Sequence, residues 1–244
     1  MGGSPPVVLV TGSSSGIGKA VAARYGREGA RVVVNSARSV VEGKAFAAVL
    51  PQAIYVQGDV SVEADARRIV ETALATYGAL DVVVNNAGTT EFISHDDLDA
   101  VTDEIWQRLL GTNLLGPWYI SRAALPALRE RRGCIVNVSS VAGVIAAGSS
   151  VPYAVSKAAL NHLTRLLAGA FGPEVRVNAV APGLIKTPWT PGERWEPMRE
   201  AVESRAALGR VGTPEDVAEV VYSLAQSEYV TGQVVVVDGG LSLR

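Results

Sequence analysis

From one end of the chain to the other, short apolar runs alternate with longer stretches whose apolar positions recur every three or four residues. The runs VVLV (7–10), RVVVN (31–35), AIYVQ (53–57), LDVVV (80–84), CIVNV (134–138), VRVNAVA (175–181) and QVVVV (233–237) are β-branched and almost continuously apolar. Strands of that kind are buried on both faces, as in a parallel sheet. The stretches near 17–28, 39–49, 61–76, 102–130, 151–171 and 213–226 carry the helical period. Thr213-Pro214 offers an N-cap and an N1 proline, with acids in the following turn. Alternating strands and helices predict an α/β fold, a single domain over residues 1–244 with a doubly wound parallel sheet of seven strands and helices on both faces.

One segment breaks the rhythm. Residues 187–210, TPWTPGERWEPMREAVESRAALGR, hold three prolines and two tryptophans after a strand end. A long connection at the carboxyl edge of a parallel sheet is where ligands bind and lids close, so a substrate lid is expected at about 187–210. A structural excursion packed on the surface is the rival reading.

Composition narrows the function classes. With 48% hydrophobic and 19% charged residues the chain can fill a globular core. A net charge of −2 gives no basic field for nucleic acid or an anionic membrane. The lone Cys134 sits in an apolar run and reads as a small core residue, and one cysteine with two histidines gives no zinc site, so no metal is expected. There is no signal-peptide pattern, no run of 18 apolar residues, and only a weak Met-Gly myristoylation start, with Pro6 where Ser or Thr is wanted. A soluble, cytoplasmic protein is the expectation.

Chemistry enters at TGSSSGIG, residues 11–18, between strand 1 and its helix. The glycines Gly12, Gly16 and Gly18 are a variant of the Rossmann-type GxGxxG fingerprint, and no GK[ST] follows to make a Walker loop. Glycines permit close approach, and a helix N-terminus offers free N–H groups to a pyrophosphate. After strand 2 the chain reads Asn35, Ser36, Ala37, Arg38, with no acid to bind a ribose 2′-hydroxyl. Arg38 can pair with a 2′-phosphate, so NADP(H) is favoured over NAD(H); a solvated turn residue is the alternative for it.

Tyr153 and Lys157 in SSVPYAVSKAAL are helical neighbours at i and i+4. TGSSSGIG, NNAG (85–88), Asn113, Ser140, YAVSK (153–157) and PGLIKT (182–187) together resemble the short-chain dehydrogenase/reductase family across essentially the whole chain. The resemblance implies hydride exchange between a nicotinamide and a small-molecule ketone (or aldehyde) or alcohol. It makes Tyr153 the acid/base, has Lys157 lower the tyrosine's pKa and hold the nicotinamide ribose, has Ser140 bond the substrate oxygen, and has Asn113 help place Lys157 through an ordered water. Ser139 is the rival serine, since neighbours on a strand point to opposite faces. Neither histidine, His95 or His162, has a triad context, which argues against serine hydrolysis.

By the same resemblance Ser14, Ser15, Ile17 and Ser36 join the cofactor set. Asp59 and Val60 meet the adenine, Asn86, Ala87 and Gly88 lie along its ribose, Ile185 and Thr187 hold the carboxamide, and Pro182-Gly183 turns past the nicotinamide. NNAG is also readable as a turn that stabilises the sheet centre. The nearest look is to 3-oxoacyl-acyl-carrier-protein reductases. Ahead of Arg176, AGAFGPEVRVN (168–178) lacks the basic residue that would help dock an acidic carrier, while Arg129, Arg131 and Arg132 leave carrier docking open. The tryptophans Trp189 and Trp195 fit a ring or acyl chain. A homotetramer built on the two long helices and on the last helix plus strand is expected, with a dimer as the alternative.

Overall fold

The computed structural model describes residues 4–190 and 192–243. The Met-Gly start therefore lies outside the described residues. Seven strands, β1 (Val7–Val10), β2 (Arg31–Ser36), β3 (Ala53–Gln57), β4 (Val82–Asn85), β5 (Cys134–Val138), β6 (Arg176–Pro182) and β7 (Val234–Val237), form one sheet. Its order is β3-β2-β1-β4-β5-β6-β7, and every pairing is parallel. The order reverses between β1 and β4, so the connections leaving these strands diverge and open a crevice at their carboxyl ends.

The helices are α1 (Gly16–Arg27), α2 (Val40–Val49), α3 (Glu63–Tyr77), α4 (Asp103–Leu110), α5 (Gly116–Arg131), α6 (Val151–Phe171), α7 (Gly192–Arg205) and α8 (Pro214–Gln226). Alternation along the strands divides the core in two. Val8, Val10, Val32 and Val34 point to one face, against Tyr25 of α1 and Val217 and Val221 of α8. Val7, Leu9 and Val33 point to the other, against Ile69 of α3, Ile120 of α5 and Leu167 of α6. Cys134 is buried on the first of these faces, and burial pushes its thiol up to about 11. Thr213 caps α8 through a full capping box with Asp216, whose carboxyl the Arg210 fork holds well below the usual range. Among the described residues no helix is long and apolar enough to cross a membrane.

Two expectations need correction. The predicted helix over 102–130 is divided into α4 and α5 by a π turn at Gly111–Leu115. Pro117 has no N–H to donate to the carbonyl four residues back, that of Asn113, so the regular ladder cannot run through. The 187–210 connection, expected as a Pro-rich lid with no helix of its own, contains the 14-residue helix α7. Glu, Met, Arg and Ala favour helix there, and Arg199 bridges Glu196 and Glu203 one turn away on either side. Other element limits move by at most three residues.

Candidate active site

A cleft of about 1450 Å³ runs along the carboxyl ends of the strands. Of the catalytic and cofactor-binding residues expected from sequence, all but Gly18 and Asn113 line it. Those two are packed behind its wall. Gly12 holds φ +61°, and a Cβ there would lie 2.8 Å from Ala87 Cα. A Cβ on Gly18 would come within 2.3 Å of Asn86 Nδ2 and 2.6 Å of the Gly12 carbonyl. The first turn of α1 thus closes down on the glycine loop only because no side chain intervenes.

Polar groups that sequence reasoning passed over fix that loop. Gly12 N–H donates to Asn35 Oδ1 at 3.2 Å, and the Asn35 amide donates to the carbonyls of Val56 and Gly58. Thr11 Oγ1 accepts from the N–H groups of Asn86 and Ala87, each at 3.0 Å. Asn86 Nδ2 donates to the Thr11 and Gly12 carbonyls. The Asn86 amide nitrogen thereby ties NNAG to the loop, the turn role also open to it, while Asn86 still lines the cleft. Ser15 caps α1 without a side-chain bond, and no acid lies in the first turn, so the helix N-terminus faces the cleft uncapped. A backbone-only cradle of this kind fits the pyrophosphate of a dinucleotide.

At the end of β2, Ser36 Oγ donates to the Ser39 carbonyl and lies 2.9 Å from the Tyr55 hydroxyl. Arg38 is exposed on the cleft rim, and among the described residues no carboxylate is ion-paired with it. Asp59 Oδ1 accepts from the Ser61 N–H and hydroxyl.

The other end of the cleft is built by α6. Ser150 caps the helix by accepting from Tyr153 N–H, with Pro152 in the first turn. One turn separates Tyr153 from Lys157, both on the cleft. Lys157 is buried, its Nζ donates to the Val138 carbonyl at 2.9 Å, and burial lowers it to about 8. Burial raises Tyr153, and the hydrogen bond with Ser140 opposes that rise. Lys157 Nζ stands 5.9 Å from the Tyr153 ring centroid while engaged by the Val138 carbonyl. Ser139 is buried and donates to the Lys157 carbonyl, leaving Ser140 as the hydroxyl beside Tyr153.

Asn113 lies wholly buried in the π turn. Its Oδ1 accepts from Thr89 N–H at 2.8 Å, and its Nδ2 donates to the Thr89 carbonyl at 2.9 Å and to Ser156 Oγ at 3.0 Å. Among the described residues this side chain makes no direct hydrogen bond to Lys157.

The substrate side is walled by the loop after β4. Ile93 N–H donates to the Ser149 carbonyl, and Thr90 Oγ1 bonds Ser149 Oγ. Across from it, Arg194 of α7 stacks over Phe92 with its guanidinium 5.2 Å from the ring centroid. Trp189 lines the cleft with Met198 and Val202, whereas Trp195 does not.

Residues 12–242 match a family model described as enoyl-(acyl carrier protein) reductase. The chain is 58% identical over 240 residues to a Streptomyces violaceoruber protein named as a ketoacyl reductase of the granaticin polyketide synthase, covering 98% of this chain and 96% of that one. It is 40% identical over 243 residues to the 3-oxoacyl-acyl-carrier-protein reductase of Thermotoga maritima, covering 96% and 97%. A solved structure from Burkholderia xenovorans, described as a short-chain dehydrogenase/reductase, superposes with a TM-score of 0.92 at 35% identity over the whole of both chains.

Proposed function

This chain belongs to the short-chain dehydrogenase/reductase family, and from that premise we propose that it is a cytoplasmic, NADPH-dependent reductase of 3-oxoacyl thioesters. The observation that carries the reading is the meeting of Ser140, Tyr153 and Lys157 on one cleft, at the end opposite the glycine loop. Both relatives named above are named for ketoacyl substrates.

The dinucleotide rests with its pyrophosphate on the Gly12–Gly18 loop and α1, and Arg38 takes the 2′-phosphate where an acid would repel it. When bound, the reduced nicotinamide supplies the hydride that goes to the carbonyl carbon. The chain does the rest. Ser140 holds the carbonyl oxygen, and Tyr153 donates its phenolic proton to that oxygen as negative charge builds there. The tyrosinate left behind recovers its proton from solvent through the open cleft. Near the ribose hydroxyls and the tyrosinate, the Lys157 ammonium would find the partners that burial denies it in the free protein. Arg131 is already ion-paired with Asp81 at 2.8 Å, so a carrier protein would meet mainly Arg129 and Arg132. The assembly is a homotetramer, supported by apolar side chains left exposed on α6 and β7.

The test is loss of reduced-nicotinamide absorbance, with NADPH and NADH in parallel. The panel is a 3-oxoacyl thioester, an enoyl thioester, a β-ketoester, a quinone, a cyclic ketone and an aldose. Fastest turnover of the 3-oxoacyl thioester with NADPH is expected. Faster turnover with NADH would remove Arg38 as phosphate reader. Turnover confined to the enoyl thioester would replace carbonyl reduction with double-bond reduction, matching the family model's description.

A further inference from the structure

We propose that Ser156, which has no contact with the cleft, is a positioning residue for the reaction, coupling the Asn113 amide to the main chain of Tyr153. The inference rests on the reading of Tyr153 as acid/base and adds a residue that acts through it. Ser156 is completely buried on the inner side of α6. Its Oγ lies 3.0 Å from Asn113 Nδ2 and 2.7 Å from the Tyr153 carbonyl.

Chemistry fixes the direction of both bonds. An amide nitrogen only donates, so Ser156 accepts from Asn113 and sends its own proton to Tyr153. A serine inside a helix often bonds back to a carbonyl one turn earlier, and alone that bond weakens the helix slightly. Here it continues out of the helix. Asn113 grips both backbone groups of Thr89, and Thr89 begins the loop that walls the substrate end. Three segments, the loop after β4, the π turn and the acid/base turn of α6, are thereby joined through the Asn113 amide and the Ser156 hydroxyl.

The network also runs directly behind the chemistry. A Cβ on Gly88 would stand 3.4 Å from Asn113 Oδ1 and 3.7 Å from Lys157 Nζ. Removing the Ser156 hydroxyl leaves one buried Asn113 N–H without an acceptor and the Tyr153 turn without its tether. A displacement of about 1 Å at such a place costs on the order of a hundredfold in rate.

The test compares wild type with Ser156→Ala, Ser156→Thr, Asn113→Ala, the Asn113→Ala/Ser156→Ala double variant and Tyr153→Phe. Steady-state kinetics on the best carbonyl substrate, binding of reduced dinucleotide and amide hydrogen exchange at Thr89 are measured. For Ser156→Ala, kcat should fall at least about tenfold while KM and dinucleotide affinity stay within about twofold. Thr, which keeps the hydroxyl, should recover most of kcat. The double variant should be no slower than the worse single one, because both break the same chain of bonds. Thr89 N–H should exchange faster in Ser156→Ala.

Unchanged kcat in Ser156→Ala, losses that multiply in the double variant, or a Thr variant as slow as Ala would each overturn the inference. So would unchanged Thr89 exchange, which needs no substrate at all. An inactive Tyr153→Phe beside an unimpaired Ser156→Ala refutes Ser156 alone; a fully active Tyr153→Phe refutes the acid/base reading and this inference with it.

Discussion

Lys157 is asked to do two things that oppose each other. Its ammonium must meet sugar hydroxyls and a tyrosinate during turnover, yet in the free protein it is buried with a single carbonyl partner. Burial brings its pKa down to about 8, against about 10.4 for an unfolded lysine. Across that window the unfolded chain binds more protons than the folded one, so the linkage makes stability rise with pH. The cost is fully present below the folded value and is relieved as pH climbs toward the unfolded one. Lys157→Met removes the titration. Urea unfolding at pH 7 and pH 9.5 should show wild type gaining on the variant by on the order of 1–3 kcal/mol as pH rises. At both pH values the variant should have no carbonyl reductase activity. A stability difference that ignores pH would mean that the ammonium is not buried as described.

Among the elements, α7 is held least firmly. None of its residues is buried, whereas α1 buries six and α6 nine. Its stems are tied: Gly212 and Leu184 bond through their backbones, as do Lys186 and Gly212, and Ala206 is buried. Between those stems the helix meets the opposite wall through Arg194 over Phe92. An exposed cation–π contact is worth about 0.5–1 kcal/mol. Arg194→Ala should therefore raise KM about two- to fivefold with kcat little changed, and speed proteolysis within 192–205. Unchanged KM and cleavage rate would leave the lid without this latch. The sequence made the strands and the chemistry-bearing motifs legible, since period and spacing are local. It left α7 hidden because Pro188, Pro191 and Pro197 read as breaks. The π turn was visible in principle: Pro117 between Gly116 and the rest of a long helical pattern is a sign of a broken ladder. Thr11, Asn35 and Ser156 were not legible, because a hydroxyl or amide declares its role only when distant segments meet around it.

At the scale of the whole molecule, two surfaces lack a partner within one chain. Val155 and Leu166 on α6 are 44% and 57% exposed. Eleven residues make three helical turns, so they share a face, with Ala158 and His162 between them. At the far edge of the sheet, β7 has one neighbour only, and Val236 and the nearby Leu243 are exposed. Scattered exposed apolar residues are ordinary, but an aligned stripe and an open edge strand are surfaces that association covers. Two separate self-complementary patches generate a tetramer with three mutually perpendicular twofold axes. Light scattering on wild type should give four times the 25.5 kDa chain mass. Leu166→Glu should halve that mass by opening one contact, and Val236→Glu should halve it by opening the other. Combining the two should leave monomers. A monomeric wild type would show that neither patch is an interface, and a tetramer indifferent to both substitutions would place the contacts elsewhere. The glycine loop, Ser140, Tyr153 and Lys157 all come from one chain, so the halved assemblies should still bind dinucleotide. Any loss of kcat on dissociation would trace to α6, whose outer stripe lies on the same helix that presents Tyr153 and Lys157.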